Sequence, residues 1–426
     1  MTRLNQTITR WQGMGLIATT LLGTGVFIVP QLTIAQAGSK AIWAWIILLL
    51  AILPLAYVFA ELGRKFTHAA GPAYFVSKAF GVTAGRVVGL VFLFTVPPGA
   101  ATALIMTFEF FNPLVTLSPR EAFCGELLVF GLLFFINRRG LQLSGRLQLG
   151  LALAILSVVG IMFITLLTTT PETAPVKAGT SSDVLTAIGL AIWCFLGVEA
   201  ITHLATEFKD VKRDFIPATV GGITLVGIIF IGCTYLSLLA PHDDLAMVGA
   251  FERLLGDSGR WIIGALGLIS GIATINVYFA SLSRLAWSFS HEGILPAQLK
   301  PLNQHQVPAV ALLVFILISA AMLVLSYLAE LDFPALAHWV NGAFVLIYTA
   351  SLLAAWKLLS QRHRPAIAIG LCACGLFVYC LGDAILYALG LAFVITMGLL
   401  GQQQWKQLRQ PSRVGNRVAR PKLPVN

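Results

Sequence analysis

The sequence predicts an all-α integral membrane protein with about twelve transmembrane helices. Of its 426 residues, 58% are hydrophobic and 11% are charged, whereas soluble domains carry about 25% charged residues. The mean hydropathy of +0.86 implies more apolar surface than one soluble core can bury, so lipid is expected to solvate the remainder. A membrane span needs about 20 consecutive apolar residues, and the chain has room for roughly a dozen spans with short loops.

Twelve apolar stretches are candidates for these spans, and the loops between them are too short to hold further domains. We expect residues 13–404 to form one transmembrane domain between a short cytoplasmic segment, 1–12, and a basic cytoplasmic tail, 405–426. Only Gly382-Asp383 separates the last two stretches. The candidate spans cover residues 13–37, 41–63, 85–111, 122–137, 147–169, 184–206, 216–240, 260–288, 308–329, 333–358, 365–381 and 384–401.

The basic residues orient this arrangement in the membrane. With the N-terminus in the cytoplasm, 23 of the 28 lysines and arginines fall on the cytoplasmic side, as the positive-inside rule requires. An even number of spans also places the basic tail inside. The net charge of +10 is therefore expected to face lipid headgroups rather than nucleic acid.

Sequence motifs of enzymes and of nucleotide-driven pumps are absent. The chain contains no HExxH, no GxSxG and no P-loop, so we expect neither catalysis nor a cofactor. The cysteines show no paired CxxC spacing, and we interpret all six as small core residues rather than metal ligands or disulfide partners. They are Cys124, Cys194, Cys233, Cys372, Cys374 and Cys380.

A short amphipathic stretch covers residues 72–82, after Gly71-Pro72, and contains Lys78. A helix that lies along the cytoplasmic surface and an ordinary loop both fit its pattern.

The first interrupted span carries Gly23-Thr24-Gly25 at its centre, with Pro30 beyond. Glycines lower helix stability, and unwound backbone at this depth is tolerated only beside protein or a water-filled cavity. A break here would leave free amide groups at the start of the second half-helix, and these attract an anion such as an amino-acid carboxylate. A Gly-x-Gly packing notch between two helices explains the same pattern, and the motif alone does not separate the two.

The second interrupted span carries Trp193-Cys194-Phe195-Leu196-Gly197-Val198-Glu199. Glu199 is the one carboxylate near the middle of a predicted span, whereas Glu61, Glu109 and Glu126 lie near span ends, where water is close. A charge in mid-membrane costs about 2.5–3.5 kcal/mol, so Glu199 is expected to face the interior. Because burial disfavours the charged form, Glu199 is a candidate proton-coupling group. A neutral glutamic acid bonded to a neighbouring carbonyl, with a purely structural role, is the alternative.

The two interruptions lie five spans apart, a pattern typical of a transporter built from two repeats. Paired interruptions in corresponding positions of two halves point to a substrate site near mid-membrane. Five spans per repeat is an odd number, so the two halves would have opposite topology. One break would bind a substrate carboxylate, and the exposed carbonyls of the other would accept hydrogen bonds from an ammonium group.

These motifs resemble those of the amino acid–polyamine–organocation transporters. The segment from Gly23 to Phe27, with Pro30, is similar to the first-span motif of that family, and Phe195 to Glu199 is similar to its sixth-span motif. The resemblance covers nearly the whole chain. Further matching segments are Gly71 to Tyr74 with Gly81, Ala205 to Asp210, Arg213 to Pro217, Ser283 to Leu285 and Glu292 to Pro296. Segments that resemble, more narrowly, bacterial members exporting L-methionine and branched-chain amino acids are Leu21 to Pro30, Trp43 to Trp45, Trp193 to Ala205 and Asn341 to Phe344.

The resemblance implies a leucine-transporter-like fold with a five-plus-five inverted repeat and two C-terminal helices. The repeats would cover about 13–169 and 184–358, and the extra helices about 365–401. It also implies a bacterial inner-membrane protein that exports methionine, leucine, isoleucine and valine by proton antiport. The family's lysine midway along span 5 is absent here, and Arg146 stands only at the start of that span.

The resemblance also assigns site residues. Thr24 and Gly25 would bind the substrate carboxylate, and Glu199 matches the acid linked to proton sensing in some relatives. The substrate ammonium would be received by the carbonyls of Leu21, Trp193 and Leu196. Ser281 and Ser283 in span 8 fit a sodium-like site, but we interpret them as packing residues.

The side-chain pocket follows from the residues around the breaks. No Asp, Lys or Arg, and no Glu other than Glu199, lies near either break. Apolar, polarizable walls suit methionine and aliphatic side chains. The predicted walls are Trp193, Cys194, Phe195 and Phe27, and the glycines Gly23 and Gly197 complete the predicted site.

Two alternatives remain at this point. An importer or exchanger of the same neutral amino acids would use the same residues, because one fold runs in either direction according to its gradients. A channel is the alternative from another class.

Overall fold

The computed structural model describes residues 9–23, 25–66, 71–111, 114–140, 145–169, 175–199, 202 and 208–409. Within these ranges the chain consists of α-helices joined by short connections, with one isolated β-bridge between Gly38 and Ala178. The first eight helices are α1 (Arg10–Leu22), α2 (Gly25–Ala37), α3 (Ala41–Lys65), α4 (Gly71–Phe80), α5 (Val82–Phe108), α6 (Pro119–Arg138), α7 (Gly145–Thr168) and α8 (Ser181–Ala191). The others are α9 (Val211–Ser237), α10 (Ala246–Leu255), α11 (Gly259–His291), α12 (Ala309–Leu328), α13 (Phe333–Leu358), α14 (Arg364–Leu381) and α15 (Ile385–Arg409).

The lengths and compositions of these helices confirm the prediction of an all-helical membrane protein. In the described part of the chain, seven helical stretches are long and apolar enough to cross a membrane, or eight if the bent pair α1 and α2 forms one span. A short 3₁₀ turn joins α14 to α15, and the two together count as one stretch, Gln361–Gln402. Two shorter apolar helical segments are Leu153–Thr168 and Ser181–Phe195.

The amphipathic stretch predicted at 72–82 is a helix, α4, and not an irregular loop. It begins at Gly71 and ends before Gly81, whose φ of +95° stops the helix. Phe75 and Val76 are buried, and Lys78 on the same helix is exposed. The helix packs against α5 and α13, so its apolar side faces protein.

An aromatic stack holds α2 against α3 and α9. Trp45 of α3 is fully buried, and its indole Nε1 donates to Thr33 Oγ1 on α2 at 3.1 Å. Its ring stacks on Phe230 of α9 with the centroids 4.6 Å apart. A buried indole N–H needs a hydrogen-bond partner, and Thr33 supplies it. Since α2 also packs along α8, the start of α2 at Gly25 is held beside the second interrupted span.

Two carboxylates that were expected close to water are buried. Glu61 is 5% exposed and Glu126 is 7% exposed. Glu61 is tolerated there because Arg64, three residues further along α3, contacts its Oε2 at 2.6 Å. The expectation was therefore wrong for both residues, since a position near a helix end does not by itself expose a side chain.

The prediction that all six cysteines lie in the core is wrong for Cys124 and Cys372. Both are exposed on outer helix surfaces, whereas Cys194, Cys233 and Cys374 are buried. In a membrane protein the outer surface faces lipid, so a small apolar side chain is as well placed there as in the core.

Candidate functional site

The first predicted break is present at Gly23. Helix α1 ends at Leu22, and Gly23 has φ +39° and ψ −146°, a backbone conformation that glycine adopts far more readily than other residues. Helix α2 begins at Gly25, with its axis bent by 52° from that of α1. Its first turn therefore has main-chain amides without partners inside the helix. Thr24, predicted to bind the carboxylate, lies outside the described residues.

The second predicted break is present after Phe195. Helix α8 ends at Ala191, and Ile192–Phe195 form a 3₁₀ turn. Leu196 is then extended, with ψ 134°, and Gly197 has φ +110°. The carbonyls at the end of α8 and of this turn are consequently released from regular helical hydrogen bonding.

The two breaks lie against each other. A Cβ placed on Gly25 would be 3.1 Å from Cys194 Sγ and 3.9 Å from Trp193 Cδ1. A Cβ placed on Gly197 would be 3.5 Å from Leu21 Cδ2. Glycine at both positions permits this close approach of one broken span to the other.

A cavity lies beside the two breaks. The described residues that line it come from both broken spans and from α5, α11 and α13. Predicted site residues in this lining are Leu21, Gly23, Gly25, Trp193, Cys194 and Leu196.

Three of the described residues that were predicted to bind substrate are outside the lining. Phe27 is fully buried with its ring edge-on to Phe110, the centroids 6.1 Å apart. Phe195 is fully buried with its ring 6.2 Å from that of Phe230. Gly197 stands immediately behind Leu196 in the chain. The sequence could not orient the two phenylalanines, because a broken helix no longer has the regular period from which a side chain's direction is read.

Helices α5, α11 and α13 supply walls that the sequence analysis missed. A signal for α5 was available, since Pro97-Pro98 removes two amide donors from mid-span and stands next to Gly99 in the lining. The additional lining residues are Thr95, Val96, Gly99, Ala100, Ala103, Thr274, Ile275, Tyr278, Val340 and Phe344, with Thr20 and Leu22 from α1.

None of the eighteen described lining residues carries a charged side chain. Thr95 and Thr274 donate to main-chain carbonyls of their own helices, at 2.6 Å and 2.9 Å, and their oxygen atoms remain acceptors. A bound ion would therefore meet main-chain amides, carbonyls and hydroxyl groups. The polar side chains of the lining are Thr20, Thr95, Thr274, Tyr278, Cys194 and Trp193.

Glu199 lies next to the second break and is 1% exposed. Its Oε2 accepts a hydrogen bond from the Gly197 amide at 3.1 Å and another from the Tyr348 hydroxyl at 2.8 Å. Its Oε1 is buried and has no partner among the described residues. The carboxyl group thus accepts from an amide that the break has released.

Asn341 of α13 supports the other side of the same break. Its Nδ2 donates to the carbonyls of Gly189, at 2.8 Å, and Leu190, at 3.4 Å. These carbonyls belong to the last turn of α8, where regular acceptors lose their donors. Together with Tyr348, Asn341 makes α13 the helix that braces the second break.

The serine pair in span 8 is divided between two environments. Ser283 is buried and its hydroxyl donates to the Ala280 carbonyl at 3.0 Å, whereas Ser281 is exposed. Neither serine lines the cavity beside the breaks.

Comparison with known proteins matches residues 8–407 to the amino acid permease family. The chain is 33% identical over 399 residues to the L-methionine/branched-chain amino acid exporter YjeH of Escherichia coli (strain K12), covering 91% of this chain and 95% of that protein. It is 25% identical over 406 residues to the uncharacterized amino acid permease YecA of Bacillus subtilis (strain 168), covering 91% and 94%. It is 24% identical over 332 residues to the cadaverine/lysine antiporter of Escherichia coli (strain K12), covering 73% of each chain.

The family match spans both interrupted helices and the helices that complete the cavity. It also agrees with the resemblance that the two broken-span motifs indicated. The chain therefore belongs to the amino acid permease family, within the amino acid–polyamine–organocation superfamily, and is a multi-pass membrane transporter rather than an enzyme.

Proposed function

We propose that this protein is a secondary active transporter that exports small apolar L-amino acids, with methionine, leucine, isoleucine and valine as substrates, in exchange for protons. The observation that carries the proposal is the uncharged cavity between two helix breaks. Main-chain groups there are available for the two charges of a free amino acid, and no side chain in the described lining complements a charged substrate side chain.

The substrate carboxylate would bind at the start of α2. The Gly25 amide and those of the following turn lie at a helix N-terminus, which favours an anion. Gly23 and Thr24 would complete this end of the site. A side chain at residue 25 would occupy the space next to Cys194, so glycine is needed there.

The substrate ammonium would bind the carbonyls of Leu21, Trp193 and Leu196. The Trp193 carbonyl already accepts a hydrogen bond from the Leu196 amide at 3.2 Å. A carbonyl oxygen has two lone pairs, so it retains one for the ammonium. This arrangement places the carboxylate at the start of α2 and the ammonium among carbonyls that come from both breaks.

The substrate side chain would extend toward α5 and α13. Gly99, Ala100 and Ala103 leave space on α5, and Val340 and Phe344 form the facing apolar wall. Apolar walls of this kind suit aliphatic and thioether side chains. The name of the 33% identical E. coli relative, a methionine and branched-chain amino acid exporter, supports the same substrates.

A cationic substrate is less well supported. The 24% identical E. coli relative is a cadaverine/lysine antiporter, whose substrates have an additional positive charge. A second ammonium group would require an acid in the cavity. The described lining of this chain contains none.

We assign proton coupling to Glu199. It is a buried carboxyl group near a break, and intramembrane acids that face the protein interior commonly serve in ion pathways. The Oε1 atom without a partner among the described residues is the position where a proton would bind. Because Oε2 contacts Gly197, a change at this carboxyl can act on the conformation of the break.

We place the protein in a bacterial inner membrane with both termini in the cytoplasm, because 23 of 28 basic residues then face inward. Residues 13–404 would form one domain of twelve spans, with α1–α2 as the first span and α8 as the start of the sixth. The first ten would form a five-plus-five inverted repeat, about 13–169 and 184–358. Helices α14 and α15 would be the two additions.

A substrate-panel efflux assay tests this function. Proteoliposomes loaded with radiolabelled methionine, leucine, lysine or cadaverine would be diluted into buffer with and without an imposed pH gradient. We expect saturable, gradient-stimulated efflux of methionine and leucine and none of lysine or cadaverine. Efflux that rises linearly with substrate concentration, without saturation, would support a channel. Flux that requires amino acid on both sides would support an exchanger.

A further inference from the structure

Three lysines on three helices form a surface that the proposed transport cycle does not use. Lys65 ends α3, Lys78 lies in the last turn of α4, and Lys357 lies in the last turn of α13. All three side chains are exposed, and on the proposed topology they lie on the cytoplasmic side. We name this region the lysine–aromatic surface, and it consists of Lys65, Lys78, Lys357, Phe66, Tyr74 and Phe80.

Each lysine of this surface lies over an aromatic ring. A cation within about 6 Å of a ring centroid is attracted by the ring, but the ring does not neutralise its charge. Lys65 and Lys78 share one ring, that of Phe66. The distances from Nζ to the ring centroid are 5.3 Å for Lys65 over Phe66, 5.9 Å and 5.7 Å for Lys78 over Phe66 and Tyr74, and 4.2 Å for Lys357 over Phe80.

Hydrogen bonds from lysine side chains to main-chain carbonyls connect the three helices at the same place. Lys65 Nζ donates to the Leu358 carbonyl at the end of α13, at 2.6 Å. Lys357 Nζ donates to the Ala79 carbonyl on α4 at 3.5 Å. An ammonium group has three N–H donors, so both lysines keep donors for a ligand while they hold the helices together.

The described structure offers these lysines no carboxylate partner. Its ion pairs do not include Lys65, Lys78 or Lys357. Glu61, one turn before Lys65 on α3, is already engaged by Arg64, whose Nη2 and Nε contact Oε2 at 2.6 Å and 3.0 Å. Among the described residues, the surface therefore presents three positive charges without an ion-pair partner.

Its apolar part adds a second feature. Phe80 is 43% exposed although its ring supports Lys357. Aromatic side chains at the ends of membrane helices prefer the depth of the lipid headgroups. A ligand with a phosphate next to hydrocarbon would meet both the ammonium groups and this ring.

We propose that the lysine–aromatic surface binds the headgroup of an anionic phospholipid from the cytoplasmic leaflet. The lipid phosphate would contact the three ammonium groups, and the adjoining glycerol and acyl chains would lie against Phe80. The bound lipid would link α3, α4 and α13. Because α13 also carries Val340 and Phe344 of the cavity and braces the second break, lipid binding would favour the assembled site. This inference uses the proposed membrane orientation but not the proposed substrate.

Native mass spectrometry of the full chain tests the proposal. The protein would be released from detergent after exposure to phosphatidylglycerol or phosphatidylcholine, and bound lipid would be counted. A lysine beside an anionic membrane surface strengthens association about fivefold. We therefore expect the triple variant Lys65→Gln, Lys78→Gln and Lys357→Gln to bind phosphatidylglycerol roughly a hundredfold more weakly, with phosphatidylcholine binding unchanged.

A matched triple variant removes the same charge elsewhere. Lys209, Lys212 and Lys300 also lie on the proposed cytoplasmic side, and the described structure shows no ring contact for them. Changing these three to Gln should leave phosphatidylglycerol binding at the wild-type level. Equal losses in the two triple variants would overturn the proposal, because general charge and not this surface would then hold the lipid.

Two further arms keep the test decisive. If the first triple variant does not fold, Lys78→Gln alone should weaken binding about fivefold, since Lys78 makes no main-chain bond of the kind that Lys65 and Lys357 make. Inorganic phosphate added as a competitor should not displace phosphatidylglycerol. Full displacement by inorganic phosphate would show that the surface is a free-anion site, and would refute lipid binding. Methionine efflux would be measured separately in each lipid. Loss of lipid binding would then count against the lipid proposal, and absence of efflux would count against the transport proposal.

Discussion

The side-chain amide of Asn341 donates to the carbonyl oxygen of Gly189 across 2.8 Å, from α13 to the last turn of α8. This bond, with the 3.4 Å contact to Leu190, provides donors for carbonyls that lose regular partners where the helix ends. The break that follows α8 is therefore a supported structure and not a local defect. Seven residues along α13, Tyr348 contacts Glu199 on the far side of the same break.

Replacing Asn341 by Leu should destabilise the protein and impair binding together. Loss of a hydrogen bond to buried acceptors costs about 1–3 kcal/mol, and these acceptors lie in the turn that leads to Trp193 in the cavity lining. Thermal unfolding in detergent and methionine binding would both be measured. The control is Asn137→Leu, because Asn137 is also buried and donates to Leu133 and Asn276 but lies outside the cavity lining. It should lower stability and spare binding, and equal binding losses in both variants would contradict the bracing role.

Gly25→Val should weaken substrate binding while the protein still folds. A Cβ at this position lies 3.1 Å from Cys194 Sγ, and two further methyl groups would fill the carboxylate end of the site. Overpacking costs about 1–3 kcal/mol, which would weaken binding about fivefold to about 150-fold. Equilibrium binding of radiolabelled methionine measures this.

The control is Gly160→Val on α7, where an added Cβ meets no atom within 4 Å. That variant should bind methionine as the wild type does. Wild-type affinity in Gly25→Val would refute the carboxylate assignment.

Glu199→Gln should keep methionine binding and lose the stimulation of efflux by a pH gradient. A glutamine oxygen can still accept from the Gly197 amide and the Tyr348 hydroxyl, so the break retains its shape, but the side chain no longer takes up a proton. Efflux from proteoliposomes with and without the gradient measures the effect. Glu126→Gln is the matched control, since Glu126 is also a buried carboxyl group, and it should remain gradient-sensitive. Undiminished stimulation in Glu199→Gln would remove Glu199 from coupling.

A hydrogen-bonded chain at the proposed cytoplasmic end joins α3 to the turn before α14. Arg362 Nε donates to His363 Nε2 at 2.9 Å, which leaves the ring proton on Nδ1, 3.1 Å from the Tyr57 hydroxyl. Tyr57 in turn donates to Glu61 Oε1 at 3.4 Å. Burial lowers the pKa of His363 below its ordinary value, and nearby Glu61 opposes that shift. The charged groups around the ring are Glu61, Arg64, Lys65 and Arg362.

Acidification should therefore destabilise the protein through His363. Its pKa is lower in the folded state than in the unfolded state, so the unfolded chain binds more protons and stability falls as the pH drops below about 6.5. Melting temperature would be measured between about pH 8 and about pH 5. His363→Gln should flatten this dependence, whereas His305→Gln, in an exposed loop, should not. A slope unchanged by His363→Gln would show that other groups are responsible.

The positions of the two breaks could be predicted from the sequence because their cause is local. The pair Gly23 and Gly25, and the single glycine Gly197, each lower the stability of the helix that contains them, whatever that helix packs against. The amphipathic pattern of α4 was equally visible in the sequence. That pattern fits both a helix and a loop, and the packing of this segment against α5 and α13 decides for the helix.

The remaining walls of the site could not be predicted because they depend on tertiary packing. Thr274, Tyr278 and Phe344 lie on uninterrupted helices, α11 and α13, whose sequences give no sign of which side meets the cavity. Phe27 and Phe195 were assigned to the pocket for their size and position. The structure turns both rings into the packing around α2 and α9.

A cryo-EM map of the protein in lipid nanodiscs with saturating L-methionine tests the central claim most directly. We predict density for one amino acid between Gly25 and Leu196, with its carboxylate at the start of α2 and its thioether toward Gly99. Two continuous helices through residues 23 and 197, or methionine density bound away from both breaks, would contradict the account.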